Sequence, residues 1–140
     1  MIASAALAAE LEPRLGEETL LSDREHRAAE NAAGEPIASA IVGRQIDGRE
    51  GLHRPDFALI ASDPHHVAAV EVELTLKNRT RLERILRGYL RNQNVSVVRY
   101  HAAPPIADAV RRAARAVGAD AIVELAPLPR TGTATLRSRS

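Results

Sequence analysis

The sequence has no cysteine and no tryptophan, a single methionine, a single phenylalanine, and two tyrosines. The missing cysteine excludes a disulfide framework and any thiolate metal site. Aromatics make up only 2% of the chain, so a core has to be assembled from Ala, Val, Leu and Ile. No apolar run approaches the roughly 20 residues that cross a bilayer as a helix. The opening MIASAALAAELEPRL has no basic leader and meets acidic residues early, which fits a short helix better than a secretory signal. These absences point to a cytoplasmic protein with no membrane partner. Also missing are a Walker or dinucleotide glycine-rich loop, a nucleophile elbow, and a third ligand at zinc spacing.

What remains is an ordinary globular composition, 45% hydrophobic and 26% charged over 140 residues, enough for one domain with a buried core. The expected unit is a single domain over residues 1–129, with residues 1–19 as an N-terminal helical extension. Residues 130–140, rich in Ser, Thr and Arg, read as a flexible basic tail. Net charge is +1, yet residues 1–77 carry 7 Lys/Arg against 14 Asp/Glu, while residues 78–140 carry 12 against 4. The basic half suits a polyanionic partner such as DNA. Solvated, Arg-rich helix faces account for it equally well.

Helices are expected at residues 3–11, ending near Pro13, and at residues 23–33, opened by the capping-box pattern Ser22-Asp-Arg-Glu25 and closed by Gly34. A further helix is expected after the capping-box pattern Thr80-Arg-Leu-Glu83, with Leu82, Ile85, Leu86, Tyr89 and Leu90 on one face. Another runs from Pro104 to about Val117 and is closed by Gly118. Strands are expected at residues 36–42, 95–101 and 121–125, plus a hairpin between residues 53 and 78. Residues 43–51, with three glycines, read as a loop. This order predicts a mixed sheet with helices on both faces.

The hairpin HRPDFALIASDPHHVAAVEVELTLKN, residues 53–78, carries Asp56, Glu71 and Glu73 inside otherwise apolar strands. Side chains alternate between strand faces. In the second strand the even positions are all apolar, whereas the odd face passes from Val67 and Ala69 to Glu71, Glu73 and Lys77. A loop at residues 63–66 pairs Ser62 with Val67 and sets Asp56 opposite Glu73, with Glu71 diagonal. Carboxylates at such cross-strand spacing, about 5–8 Å, repel one another. A hard cation such as Mg²⁺ or Mn²⁺ would relieve that repulsion, and Lys77 could assist chemistry beside it. A wet, solubilising strand face is the plainer alternative. An odd-length loop would carry Asp56 to the other face. His53 suits a phosphate contact, a proton shuttle or a structural hydrogen bond, whereas His65 and His66 read as exposed turn residues. Arg81, Arg84, Arg87 and Arg91 recur on the polar side of the following helix, suited to phosphate contacts or to solvent.

Pro55-Asp56 on one strand and Glu71-Val-Glu73 on the next, with a helix following, resemble the PD-(D/E)xK superfamily, the restriction-endonuclease-like fold. More narrowly, LLSDREHR, HRPDFALI and VAAVEVELTLKNRTRLERIL are similar to replication-relaxation-like proteins of actinobacterial plasmids and mobile elements. The resemblance implies a restriction-endonuclease-like core: a central mixed β-sheet flanked by helices. It implies divalent-metal-dependent DNA hydrolysis, with Asp56 and Glu71 as metal ligands, Glu73 as a further ligand or base, and Lys77 assisting. It adds an acidic residue from the first core helix, matched by Glu25 or alternatively by Glu30. Glu73 occupies the position where the family carries lysine, and Lys77 matches a migrated lysine. A catalytically inactive DNA- or protein-binding module of a replication or transfer complex is the alternative on the same scaffold.

Overall fold

The computed structural model describes residues 19–44, 50–61 and 66–128. The helix expected at residues 3–11 and the tail from residue 130 lie outside them. Strand β1 (Thr19–Ser22) runs directly into α1 (Asp23–Ala33). The capping box forms as the pattern predicts: Ser22 Oγ accepts from the Glu25 N–H, and Glu25 accepts from the Ser22 N–H. Gly34 ends the helix in the left-handed region, φ 74°, as Gly118 ends the last one.

Next come β2 (Ala40–Arg44), β3 (Glu50–His53), β4 (Phe57–Ile60) and β5 (Val67–Glu73). They are followed by α2 (Arg79–Arg91), β6 (Val95–Ala102), α3 (Pro104–Val117) and β7 (Val123–Ala126). Among the described residues, β2 and β3 form a two-stranded ribbon, and the other five strands form one mixed sheet in the order β1-β4-β5-β6-β7. The pairs β1/β4 and β4/β5 are antiparallel; β5/β6 and β6/β7 are parallel. The expected mixed α/β architecture is therefore present, with three helices among the described residues flanking the sheet.

Each parallel step needs a crossover, which α2 and α3 supply. Right-handed crossovers that advance in one direction put both helices on one face. Leu82, Ile85, Leu86 and Tyr89 of α2 accordingly share a core with Val110, Ala113 and Ala114 of α3 over Ala69, Val98 and Tyr100 of the sheet. Phe57, Leu59, Val70 and Val72 form a separate cluster from the alternate strand positions. Strand β5 is thus buried on both faces. The two crossover helices share one face of the sheet.

Residues 36–39 are not a strand, because side chains hold their backbone. Glu30 accepts from the Ile37 N–H, His26 accepts from the Ala38 N–H, and Asn92 donates to the carbonyls of Ile37 and Ser39. The segment expected as a loop, residues 43–51, holds the end of β2 and the start of β3, paired across Gly43 and Gly51. Helix α2 begins earlier than the Thr80 pattern suggests, since Asn78 Oδ1 accepts the Arg81 N–H at 2.8 Å.

Helix α2 also clamps the ribbon. Arg84 donates to the Val42 carbonyl at 3.0 Å and Arg91 to the Ile41 carbonyl at 2.8 Å. Between them, Gly88 lets the backbones touch: a Cβ there would lie 2.9 Å from the Ile41 carbonyl oxygen and 3.0 Å from Ala40 Cβ. Gly88→Ala should therefore destabilise the protein by about 1–2 kcal/mol, because overpacking against backbone outweighs the gain in helix propensity. A lowered urea midpoint at unchanged slope checks this; a raised midpoint would mean the ribbon yields freely.

Candidate functional site

The β4–β5 register sets the site. Phe57 pairs with Val70 and Ile60 with Val67, and the Ala61 N–H reaches the His66 carbonyl. The loop therefore closes one residue earlier than expected, which slides the register by two. Because side chains alternate with period two, the face is preserved. Asp56, one step beyond Phe57, stands opposite Glu71 rather than opposite Glu73. The odd positions of β5 face α2 and are not wet: Glu71 and Glu73 are each 6% exposed.

Burying two carboxylates requires partners. Glu71 Oε2 accepts from the Tyr89 hydroxyl at 2.7 Å and lies 2.7 Å from His53 Nε2. With two donors converging on one carboxylate oxygen, the His53 ring carries its proton on Nε2. Glu73 forms an ion pair with Lys77. Lys77 is not on the strand, which ends at Glu73, but in the connector to α2, and it reaches back to the carboxylate. Asp56 Oδ2 accepts the Val72 N–H at 2.7 Å, in the manner of a strand carbonyl.

The electrostatics follow from this packing. Burial raises the Asp56 carboxyl above its usual range despite the Val72 N–H; Glu71 and Glu73 push the same way, and His53 opposes them. Burial, reinforced by Glu71, lifts both Tyr89 and Tyr100 well above the normal phenol value, so both remain protonated donors. Tyr100 pairs with Glu71 across β5/β6. Sequence reasoning counted Tyr89 as core and passed over Tyr100. The available signal was that a buried phenol needs a polar partner.

The run 53–56 is held at every position. His53 meets Glu71, Arg54 donates to Glu30 Oε1 at 3.2 Å, Pro55 is fully buried, and Asp56 caps the Val72 N–H. Glu30 thereby belongs to a neighbouring network with His26, the Ile37 N–H and the Ser39 hydroxyl. Burial alone would raise its carboxyl, but those partners outweigh it and lower the value to about 2. Glu25, exposed on the first turn of α1, is engaged by its helix cap and is not brought to the cluster. Of the four helix arginines, Arg84 and Arg91 grip β2, Arg87 meets Glu83, and the exposed Arg81 side chain has no partner among the described residues. His66 is exposed, and His65 lies outside the described residues.

The donor set is all hard oxygen. Among the described residues, Asp56 Oδ1 and Glu71 Oε1 accept no hydrogen bond, and two carboxylates with water suit Mg²⁺. No three His, Cys, Asp or Glu side chains of the described residues form a ready ligand group. Glu71 and Glu73 instead face donors from the chain itself. Among the described residues, no helix is long and apolar enough to cross a membrane. No protein-family model, curated protein or solved structure matches the chain.

Two substitutions should move stability in opposite directions. Asp56 has a raised folded value, so its contribution is present at low pH and lost as pH rises through that value. Asp56→Asn keeps an acceptor for Val72 and should raise the urea midpoint at pH 7, with the gain vanishing below about pH 4. Glu30 has a depressed folded value, so its contribution is present above the usual Glu range and lost as pH falls toward 2. Glu30→Gln should lower the midpoint at pH 7 and flatten the acid limb. Urea midpoints from pH 2.5 to 7 check both, and the same sign for the two at pH 7 would contradict this assignment.

Proposed function

We propose that the chain is a restriction-endonuclease-like, divalent-metal-dependent nuclease domain acting on DNA, within a replication or transfer protein of a plasmid or mobile element. One observation carries the reading: Asp56, one residue before β4, is fixed to β5 at the Val72 N–H, next to Glu71, and the Lys77 ammonium meets Glu73. The element order supports it, since the hairpin leads through α2 into a parallel strand. Lys77 reaching back to Glu73 supplies the ammonium that a Glu-x-Lys strand would carry at that position.

Asp56 and Glu71 would hold Mg²⁺ or Mn²⁺. Bound there, the ion supplies Lewis-acid polarisation of a phosphodiester and a more acidic water. The chain's own groups do the rest. Tyr89 and His53 fix the orientation of Glu71. Glu73 holds Lys77, whose positive charge favours the added negative charge of the attacked phosphate. Glu73 would also accept a proton from water. In-line hydrolysis would then leave a phosphate monoester and a hydroxyl.

A second reading, a DNA- or protein-binding module without hydrolysis, is favoured by one fact: Glu71 and Glu73 already have counter-groups within the chain. Plasmid cleavage with Mg²⁺ or Mn²⁺ separates the two. The nuclease reading expects cutting that falls at least about 100-fold in Asp56→Asn and Glu71→Gln, the scale of losing a group that stabilises the transition state. It also expects Mg²⁺ to raise the melting temperature of the wild type but not of Asp56→Asn. Equal background cutting by all three, with no Mg²⁺-dependent shift, leaves the binding module.

A further inference from the structure

Beside the carboxylates lies a cleft of about 440 Å³ between α2 and the ribbon. Its floor is apolar: Val42, Leu52 and Ile85. Its rim is polar and cationic: Thr80, Arg81 and Arg84. None of the described residues lining it is acidic. His53 is the shared wall, lining the cleft while its Nε2 bonds Glu71. Arg84 is fixed in place by its bond to the Val42 carbonyl, whereas Arg81 is exposed.

A smooth duplex presents phosphates to a protein surface and keeps its bases stacked inside. Phosphates would satisfy the rim and leave the apolar floor unfilled. An unstacked nucleotide satisfies both, with its phosphate at the arginines and its base face on the aliphatic floor. Pockets from about 300 Å³ upward accommodate ligands of this size. The connector supplies an independent observation. Leu74 and Leu76, between Glu73 and α2, are 43% and 66% exposed. Apolar side chains of this kind suit unstacked bases and wedge between base steps.

We infer that the cleft between α2 and the β2–β3 ribbon is a nucleotide pocket, so that the domain engages single-stranded DNA, or a single-stranded flap, in preference to continuous duplex. The inference rests on the DNA reading above and names the substrate class of that site. The strand enters over Leu74 and Leu76, seats one nucleotide against Val42, Leu52 and Ile85, and passes its next phosphodiester across His53 toward Asp56 and Glu71.

The test is fluorescence anisotropy in EDTA, with a labelled 20-nucleotide single strand and a blunt duplex of the same length. The expected result is at least about ten-fold tighter binding of the single strand, the scale of burying one base face against aliphatic side chains. Arg81→Ala should reduce the slope of log affinity against log salt for the single strand by about 0.7, one phosphate contact. Leu76→Ser, at an exposed position, should weaken the single strand several-fold and leave the duplex unchanged. Arg111→Ala on α3 removes the same charge elsewhere and should change neither slope nor preference. Equal affinities, duplex preference, or identical behaviour of the Arg81 and Arg111 variants would overturn the pocket. Strand preference without Mg²⁺-dependent cutting would uphold the pocket and remove the hydrolytic reading. Cutting without strand preference would remove the pocket alone.

Discussion

The interaction on which the other features depend is the double donation to Glu71. A carboxylate in the middle of a buried strand has to be matched by donors, or its desolvation cost is not met. Here the donors come from two directions, Tyr89 on α2 and His53 at the end of β3. One carboxylate therefore ties sheet, helix and ribbon together. The ring of His53 meets that of Tyr89 edge-on, with centroids 6.2 Å apart, so the two donors also support each other. A chain with two tyrosines pairs one with Glu71 in the sheet and hydrogen-bonds the other to it.

The same cluster opposes folding at neighbouring positions. Asp56 takes a strand-like hydrogen bond from Val72, yet stands in the field of Glu71 and Glu73 and resists ionisation. Its partner network around Glu30 does the reverse, holding a carboxylate ionised with several donors. Two buried acidic sites, joined through residues 53–56, thus differ in kind. Glu30 is fully engaged and anchors the chain, whereas Asp56 and Glu71 retain oxygens with no partner among the described residues.

Much of this arrangement was legible from strand parity. Glu71 and Glu73 were expected on one face of their strand and share it, because a register error of two leaves every side chain on its own side, while Asp56, just before β4, takes the Val72 N–H between them. The register itself was not legible, since the turn could be placed at either of two adjacent positions with the same residue types. Helix ends marked by Ser22, Gly34 and Gly118 were readable because each mark is a local backbone requirement. Residues 36–39 misled because their β-like composition competes with long-range acceptors, Glu30 and His26, that no local pattern reveals. Strand β1 was missed for its brevity, and Tyr89 because a tyrosine at an apolar helix position looks like packing until its hydroxyl has a destination.

The clamp between α2 and the ribbon has one more consequence. Arg84 and Arg91 grip carbonyl oxygens and Gly88 rests against the main chain at Ile41, so these contacts hold the ribbon by its backbone, while Ala40 and Val42 add side-chain packing. The grip of Arg84 and Arg91 would therefore survive a change of side chain at Ile41, provided the chain path is kept, whereas Ala40, Val42 and His53 are tied by their side chains. The joint thus fixes the path of the ribbon over α2, and with it the position from which His53 reaches the carboxylate cluster.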